Sequence, residues 1–132
     1  LAMKKVLFVC VHNSARSQMA AAFFNQMTKS KAMAISAGTR PAAQVNPLVV
    51  RVMGEIGIDI SKQRPKALTL EMIEKADRVI TMGCSVEEVC PASFAPTEDW
   101  ELDDPEGKPL DEVRKIRDVV KARVEVLVKD YL

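Results

Sequence analysis

The sequence predicts an α/β fold of three layers, α/β/α, built on a four-stranded, mostly parallel sheet. Three observations lead there: short β-branched apolar runs stop at polar or glycine breaks, amphipathic stretches follow them, and the two kinds of segment alternate along 132 residues. Such alternation requires crossover connections, which build parallel sheets covered on both faces and place ligand sites at the carboxyl ends of strands. A chain of this length can bury a continuous core without disulfides or metal, so residues 1–132 are read as a single domain.

The first strand is Lys4 to Cys10 (KKVLFVC). After a polar break, a helix is expected from Ser17, with Met19, Phe23 and Met27 recurring every fourth residue. Ala32 to Ala37 (AMAISA) reads as a second strand stopped by Gly38. Asn46-Pro47 then supplies an N-cap and a proline at the first helical position, and the helix is expected to carry Val49, Met53 and Ile56 on one face and to end at Gly57. A further short helix is predicted over Thr69 to Ala76, and a third strand over Arg78 to Met82, running into Gly83 and Cys84. Pro91, Pro96, Pro105 and Pro109 make Ser85 to Pro109 irregular, with a fourth strand near Trp100. From Asp111, Val113, Ile116, Val120, Val124, Leu127 and Tyr131 form one stripe of an amphipathic helix.

Composition narrows the classes of function. With 48% hydrophobic and 28% charged residues, and 19 basic against 18 acidic side chains, nothing calls for disorder, a nucleic-acid partner or a membrane surface. No apolar run approaches the roughly 18 residues of a membrane span, and the start is too short for a signal peptide, so a cytoplasmic location is expected. The Leu1-Ala2 pair ahead of Met3 is read as a remnant of expression. Three cysteines do not close a disulfide framework, and in a reducing cytosol they are better read as reagents than as staples.

The most informative stretch is CVHNSARS, Cys10 to Ser17: a cysteine ending a strand, five residues, an arginine, and a serine opening a helix. Successive backbone N–H groups of Val11, His12, Asn13, Ser14, Ala15, Arg16 and Ser17, wrapping toward a helix N-terminus, form a concave anion site. The same field favours thiolate over thiol at Cys10 and makes it a candidate nucleophile. The planar guanidinium of Arg16 can hold two oxygens of a tetrahedral anion. Ser17 can donate to the sulfur, and the Asn13 amide can pin the loop. Taken alone, Cys10 could equally be a buried hydrophobe and Arg16 a surface cation; the flanking strand and helix decide for the site.

CVHNSARSQMA resembles the loop shared by low-molecular-weight protein tyrosine phosphatases and the arsenate reductases of the same fold. The likeness continues through SAG (Ser36 to Gly38), NP (Asn46-Pro47), GIDIS (Gly57 to Ser61) and DDP (Asp103 to Pro105), in order along nearly the whole chain. It implies a fold like that of these phosphatases, and a general acid in the DP segment, for which Asp104 is the first candidate and Asp103 the second.

The phosphatase and reductase branches divide on further thiols. A phosphatase needs one cysteine, whereas a two-electron reduction ending in an intramolecular disulfide needs more. Cys84 ends a strand at the same sheet edge as Cys10, and Cys90 follows it, which matches the reductase pattern. The resemblance then implies that Cys10 attacks arsenate, Cys84 attacks the Cys10 sulfur and releases arsenite, and Cys90 displaces Cys10. A Cys84–Cys90 disulfide would remain for thioredoxin or a similar dithiol. Gln18 stands where the phosphatases carry proline, and DDPEGK replaces their aromatic DPY segment, both pointing the same way.

The expectation is therefore an arsenate reductase, for which phosphate or sulfate would be mimics of the substrate, acting as a monomer without cofactor. The alternatives are a phosphatase using Cys10, Arg16 and Asp104, and a non-enzymatic oxyanion-binding or redox-sensing module. Some departures limit the transfer. Only five residues separate Cys84 from Cys90, one fewer than in the best-known reductases, and Ala21 replaces a glutamate that helps some members hold potassium. Asn13 and Ser36 remain as possible ligands, and no metal is assigned. His12, the only histidine, takes a position that is glycine in many relatives and receives no catalytic role.

Overall fold

In the computed structural model the described residues are 3–29, 31–83 and 97–132. The elements run β1 (Lys4–Cys10), α1 (Arg16–Thr28), β2 (Ala32–Gly38), α2 (Pro47–Gly54), α3 (Leu70–Lys75), β3 (Arg78–Thr81), β4 (Thr97–Asp99) and α4 (Leu110–Leu127), closed by a 3-10 turn at Val128–Asp130. The four strands form one sheet in the order β2-β1-β3-β4. Every pairing is parallel, with Cys10 opposite Gly38 and Val9 opposite Thr81. The sheet thus ends on one edge where β1, β2 and β3 all finish, and the loop after Cys10 rises from its middle.

The period-two alternation of β1 separates two cores. Val6, Phe8 and Cys10 face the larger one, with Met19, Phe23 and Phe24 of α1 and Val113, Val120 and Val124 of α4. Leu7 and Val9 face the smaller one with Ala37, Val79 and Ile73 of α3. Three layers result. Phe8 anchors the larger core, edge-on to Phe24 at 6.2 Å and to Trp100 at 5.6 Å. A fully buried side chain of this size contributes roughly 1.5–3 kcal/mol, so the strand carrying Cys10 is firmly seated.

The helices follow the sequence closely, with one correction. Asn46 caps α2 by accepting from Leu48 N–H at 2.9 Å, and Thr69 caps α3 by accepting from Met72 N–H at 3.2 Å. However, α2 ends at Gly54, and Ile56 is exposed rather than on the core face. The chain turns over at Gly57, where Ile58 N–H returns to the Met53 carbonyl at 3.0 Å, so Ile58 and Ile60 take the apolar positions. Tyr131 keeps its place in the α4 stripe beyond the helix end, its ring 5.4 Å from that of Phe24. The fourth strand is only Thr97–Asp99, just before the buried Trp100. Among the described residues, no helix is long and apolar enough to cross a membrane.

Candidate active site

The loop from Cys10 to Arg16 is held by its carbonyls. Those of Cys10, Val11 and His12 accept from the N–H groups of Thr39, Arg40 and Ala42, at 3.3, 2.8 and 3.0 Å. The Asn13 carbonyl accepts from the Gln18 amide at 3.2 Å, the Ser14 carbonyl from Asn46 N–H at 2.9 Å and the Ala15 carbonyl from Met19 N–H at 3.0 Å. In a trans peptide unit the N–H points opposite to the C=O. Six consecutive units therefore turn the N–H groups of Val11, His12, Asn13, Ser14, Ala15 and Arg16 away from these outer partners. Asn13 N–H shows where they point, since it donates to Cys10 Sγ at 3.2 Å. Ala15, the residue before α1, offers no side-chain cap, so the amides of the first helical turn remain available to an anion.

A buried relay of polar groups fixes the sulfur. The Asn13 side-chain amide donates to Ser17 Oγ at 2.8 Å, and Ser17 Oγ lies 2.9 Å from Cys10 Sγ. With one oxygen lone pair occupied by Asn13, the Ser17 hydrogen is directed to the sulfur, which as a thiolate can only accept. Asn13 takes the left-handed conformation, φ 50°, which asparagine tolerates better than most residues. Its Oδ1 accepts from Lys66 N–H at 2.8 Å and from Gln18 Nε2 at 3.1 Å. Gln18 also reaches the Arg64 carbonyl at 3.2 Å, which ties the loop to the segment after α2. Gly38 is required beside it, because a Cβ there would stand 2.7 Å from the Val11 oxygen and 2.9 Å from the Asn13 nitrogen.

Arg16 is buried, and its Nη1 donates to the carbonyl of Met82 and, at 2.9 Å, to that of Leu102. Its Nη2 lies 3.7 Å from Asp104 Oδ2. Asp104 is half-exposed and oriented by Glu106 N–H, which donates to its Oδ1 at 3.0 Å. Asp103 instead lines a separate cavity with Glu112, Lys115, Ile116 and Val119 of α4. His12 sits half-exposed with Nδ1 3.1 Å from the Arg40 carbonyl oxygen. The structure brings together Cys10, Asn13, Arg16, Ser17 and Asp104, while Cys84 and Cys90 lie outside the described residues.

Over this geometry the family can be compared. The sequence profile described as "Low molecular weight phosphotyrosine protein phosphatase" matches residues 5–131. The chain belongs to this family. Within it, the chain is 40% identical over 129 residues to a putative arsenate reductase of Halobacterium salinarum, covering 94% of this chain and 90% of that protein. It is also 40% identical over 131 residues to a glutaredoxin arsenate reductase of Synechocystis, covering 96% and 97%. A solved structure of a Corynebacterium glutamicum thioredoxin-dependent arsenate reductase superposes with a TM-score of 0.85 at 38% identity, covering 98% of this chain and 62% of that one.

The potassium site of some family members does not fit these residues. Position 21 is alanine, and the Asn13 amide oxygen is already taken by Lys66 N–H and Gln18. Ser36 lines a cavity of about 380 Å³ together with Lys66, whose ammonium is held below the usual lysine range by burial. Asp59 lines the same cavity, so its wall carries one acidic and one basic side chain and no net negative charge to draw a cation. Among the described residues there is also no cluster of three His, Cys, Asp or Glu side chains suited to a metal.

Sequence reasoning missed the groups that hold Arg16 and Asn13, namely the carbonyls of Met82 and Leu102 and the amide of Lys66. Backbone atoms leave no residue-type signature. Gly83 did carry a signal: it follows a strand directly, sits at φ 103°, and a Cβ there would lie 2.6 Å from Arg16 Nη1.

Proposed function

We propose that this protein is an arsenate reductase, converting arsenate to arsenite through Cys10 and a Cys10–Cys84–Cys90 thiol relay restored by thioredoxin or a similar dithiol. The observation that carries the reading is the Cys10 sulfur, bonded by Asn13 N–H and faced by Ser17 Oγ, at the foot of a cup of main-chain amides closed by Arg16. The names of the relatives support the choice of oxyanion and reductant.

The chemistry balances in three steps. The Cys10 thiolate attacks arsenic(V) and displaces one hydroxyl group of the arsenate, which leaves as water after accepting a proton from Asp104. Arg16 and the loop amides follow the negative charge as it gathers on the remaining oxygens. The Cys84 thiolate then attacks the Cys10 sulfur; the S–As bond breaks and its electron pair stays on arsenic, which leaves as arsenite. Finally Cys90 attacks the Cys84 sulfur, freeing Cys10 as thiolate and leaving a Cys84–Cys90 disulfide for the external dithiol. Two electrons enter arsenic and two thiols become one disulfide. Regeneration by a dithiol accords with a reducing cytosol, and one chain carries every group the cycle uses, which supports a monomeric single domain.

The test is arsenate-dependent NADPH consumption with thioredoxin and thioredoxin reductase supplied. Turnover by the parent and none by Cys10→Ser or Cys84→Ser is expected; no consumption by the parent would overturn the reading. The approach of Asp104 to Arg16 also supports a weaker phosphatase activity on aryl phosphates, which requires neither Cys84 nor Cys90.

A further inference from the structure

His12 and Glu106 are left unused by this scheme, yet they join its two halves. A carbonyl oxygen only accepts, so the Nδ1 that faces the Arg40 carbonyl at 3.1 Å carries a hydrogen. That bond orients the ring and leaves Nε2 as the outward atom, which lies 4.0 Å from Glu106 Oε2. When Nε2 also carries a hydrogen, that N–H faces the carboxylate and the contact is attractive. Glu106 in turn offers its own N–H to Asp104 Oδ1 at 3.0 Å, and Asp104 Oδ2 faces Arg16 Nη2 at 3.7 Å. The circuit runs from the oxyanion loop at His12 to the acid segment at Glu106 and Asp104, and back to the loop at Arg16.

The geometry points to His12 as a positioning residue: paired with Glu106, it fastens the segment of residues 104–106 to the oxyanion loop and so holds Asp104 over the leaving oxygen. This rests on the reading of Asp104 as proton donor. It makes His12 important for the proton-transfer step and indifferent to capture of the anion, because the loop amides keep their orientation through Arg40, Ala42 and Asn46 whatever the ring does. His12 is half-exposed and Glu106 largely exposed, so the effect is that of a surface ion pair, a few-fold rather than orders of magnitude.

The discriminating experiment compares two aryl phosphates, p-nitrophenyl phosphate with a good leaving group and phenyl phosphate with a poor one, in the parent, His12→Ala, Glu106→Gln and the double variant. A displaced general acid harms the poor leaving group more. Expected is a loss in kcat/KM of about two- to fivefold on phenyl phosphate and less than twofold on p-nitrophenyl phosphate, with the Ki for inorganic phosphate within about twofold of the parent. The double variant should be no worse than either single one. Equal losses on both esters, a Ki that rises in parallel, additive losses, or no loss at all would each overturn the role of His12. If the parent hydrolyses neither ester but reduces arsenate, the same comparison is made on arsenate: lower turnover with unaltered phosphate inhibition supports the role, and unaltered turnover overturns it. A parent inactive on all three would sink the proposed function itself, and the role of His12 with it.

Discussion

Gly83→Ala tests the seating of Arg16 directly. The added methyl would stand 2.6 Å from Arg16 Nη1 and 2.7 Å from the Leu102 carbonyl oxygen, and these two atoms are themselves hydrogen-bonded at 2.9 Å. The methyl is therefore a wedge driven into that bond. Ordinary carbon contacts begin near 3.4 Å, so the two neighbours must retreat by about 0.7–0.8 Å. The left-handed backbone costs about 1–2 kcal/mol for a residue with a Cβ, and the loss of a charge-assisted hydrogen bond adds about 1.5–3 kcal/mol. For a chain of this size the total corresponds to a fall in Tm of roughly 9–18 °C. A displacement of about 1 Å in a residue that positions the reacting anion can cost about a hundredfold in rate. The assay is hydrolysis of p-nitrophenyl phosphate, which bypasses the thiol relay adjacent to residue 83, together with thermal unfolding followed by circular dichroism. Gly54→Ala is the matched control, because a Cβ there meets nothing within 4 Å; it should keep its rate and gain slightly in stability. If Gly83→Ala stays within about threefold of the parent rate and melts within about 3 °C of it, the account of how Arg16 is seated is wrong.

Ser17→Ala removes the hydroxyl facing Cys10 Sγ and leaves the buried Asn13 amide without its acceptor, so kcat/KM for arsenate should fall by about 10- to 100-fold, the worth of a hydrogen bond to a charged group; a loss below threefold would show that the serine does not serve the sulfur. Mass spectrometry of arsenate-treated protein without dithiol should find two hydrogens lost between Cys84 and Cys90, and a stable bond from Cys10 to either would contradict the order of the relay. Replacing potassium by sodium in the assay should leave arsenate turnover and Tm as they were, since position 21 is alanine and the Asn13 amide oxygen already accepts from Lys66 N–H and Gln18; activation by potassium would reverse that judgement.

The parts of the molecule legible in the sequence are those governed by local chemistry. The stretch from Cys10 to Ser17 could be read because strand, loop, arginine and helix start lie within a few residues, and the contacts of Asn13 and Ser17 follow from the side chains themselves. Ile56 was misplaced because a four-residue period does not show where a helix stops; the turn at Gly57 shifts the apolar burden to Ile58 and Ile60. The strand Thr97–Asp99 has almost no apolar pattern of its own, and its position follows from pairing with β3 and the burial of Trp100 behind it. Only the family resemblance ranks Asp104 above Asp103 in a sequence that reads DDP; the path of residues 102–106, with Leu102 bonded to Arg16, turns the Asp104 carboxylate toward the guanidinium while Asp103 lines a cavity beside α4.

The cup cannot by itself choose between oxyanions. Arsenate and phosphate are both tetrahedral and carry similar charge, and the groups that meet them, main-chain N–H and one guanidinium, respond to charge and shape alone. Selectivity must then arise after capture, in what the bond to Cys10 can do. In the proposed relay a Cys10–arsenic bond can break toward arsenic, because arsenic(III) is a stable product that keeps the electron pair when Cys84 attacks the sulfur; a Cys10–phosphorus bond offers no such exit and can only be hydrolysed. The same reasoning makes phosphate a competitor that occupies the cup and leaves all three thiols reduced. The oxyanion loop thus serves both branches of the family, and what separates a reductase from a phosphatase is a thiol brought to the Cys10 sulfur while the arsenic is still attached.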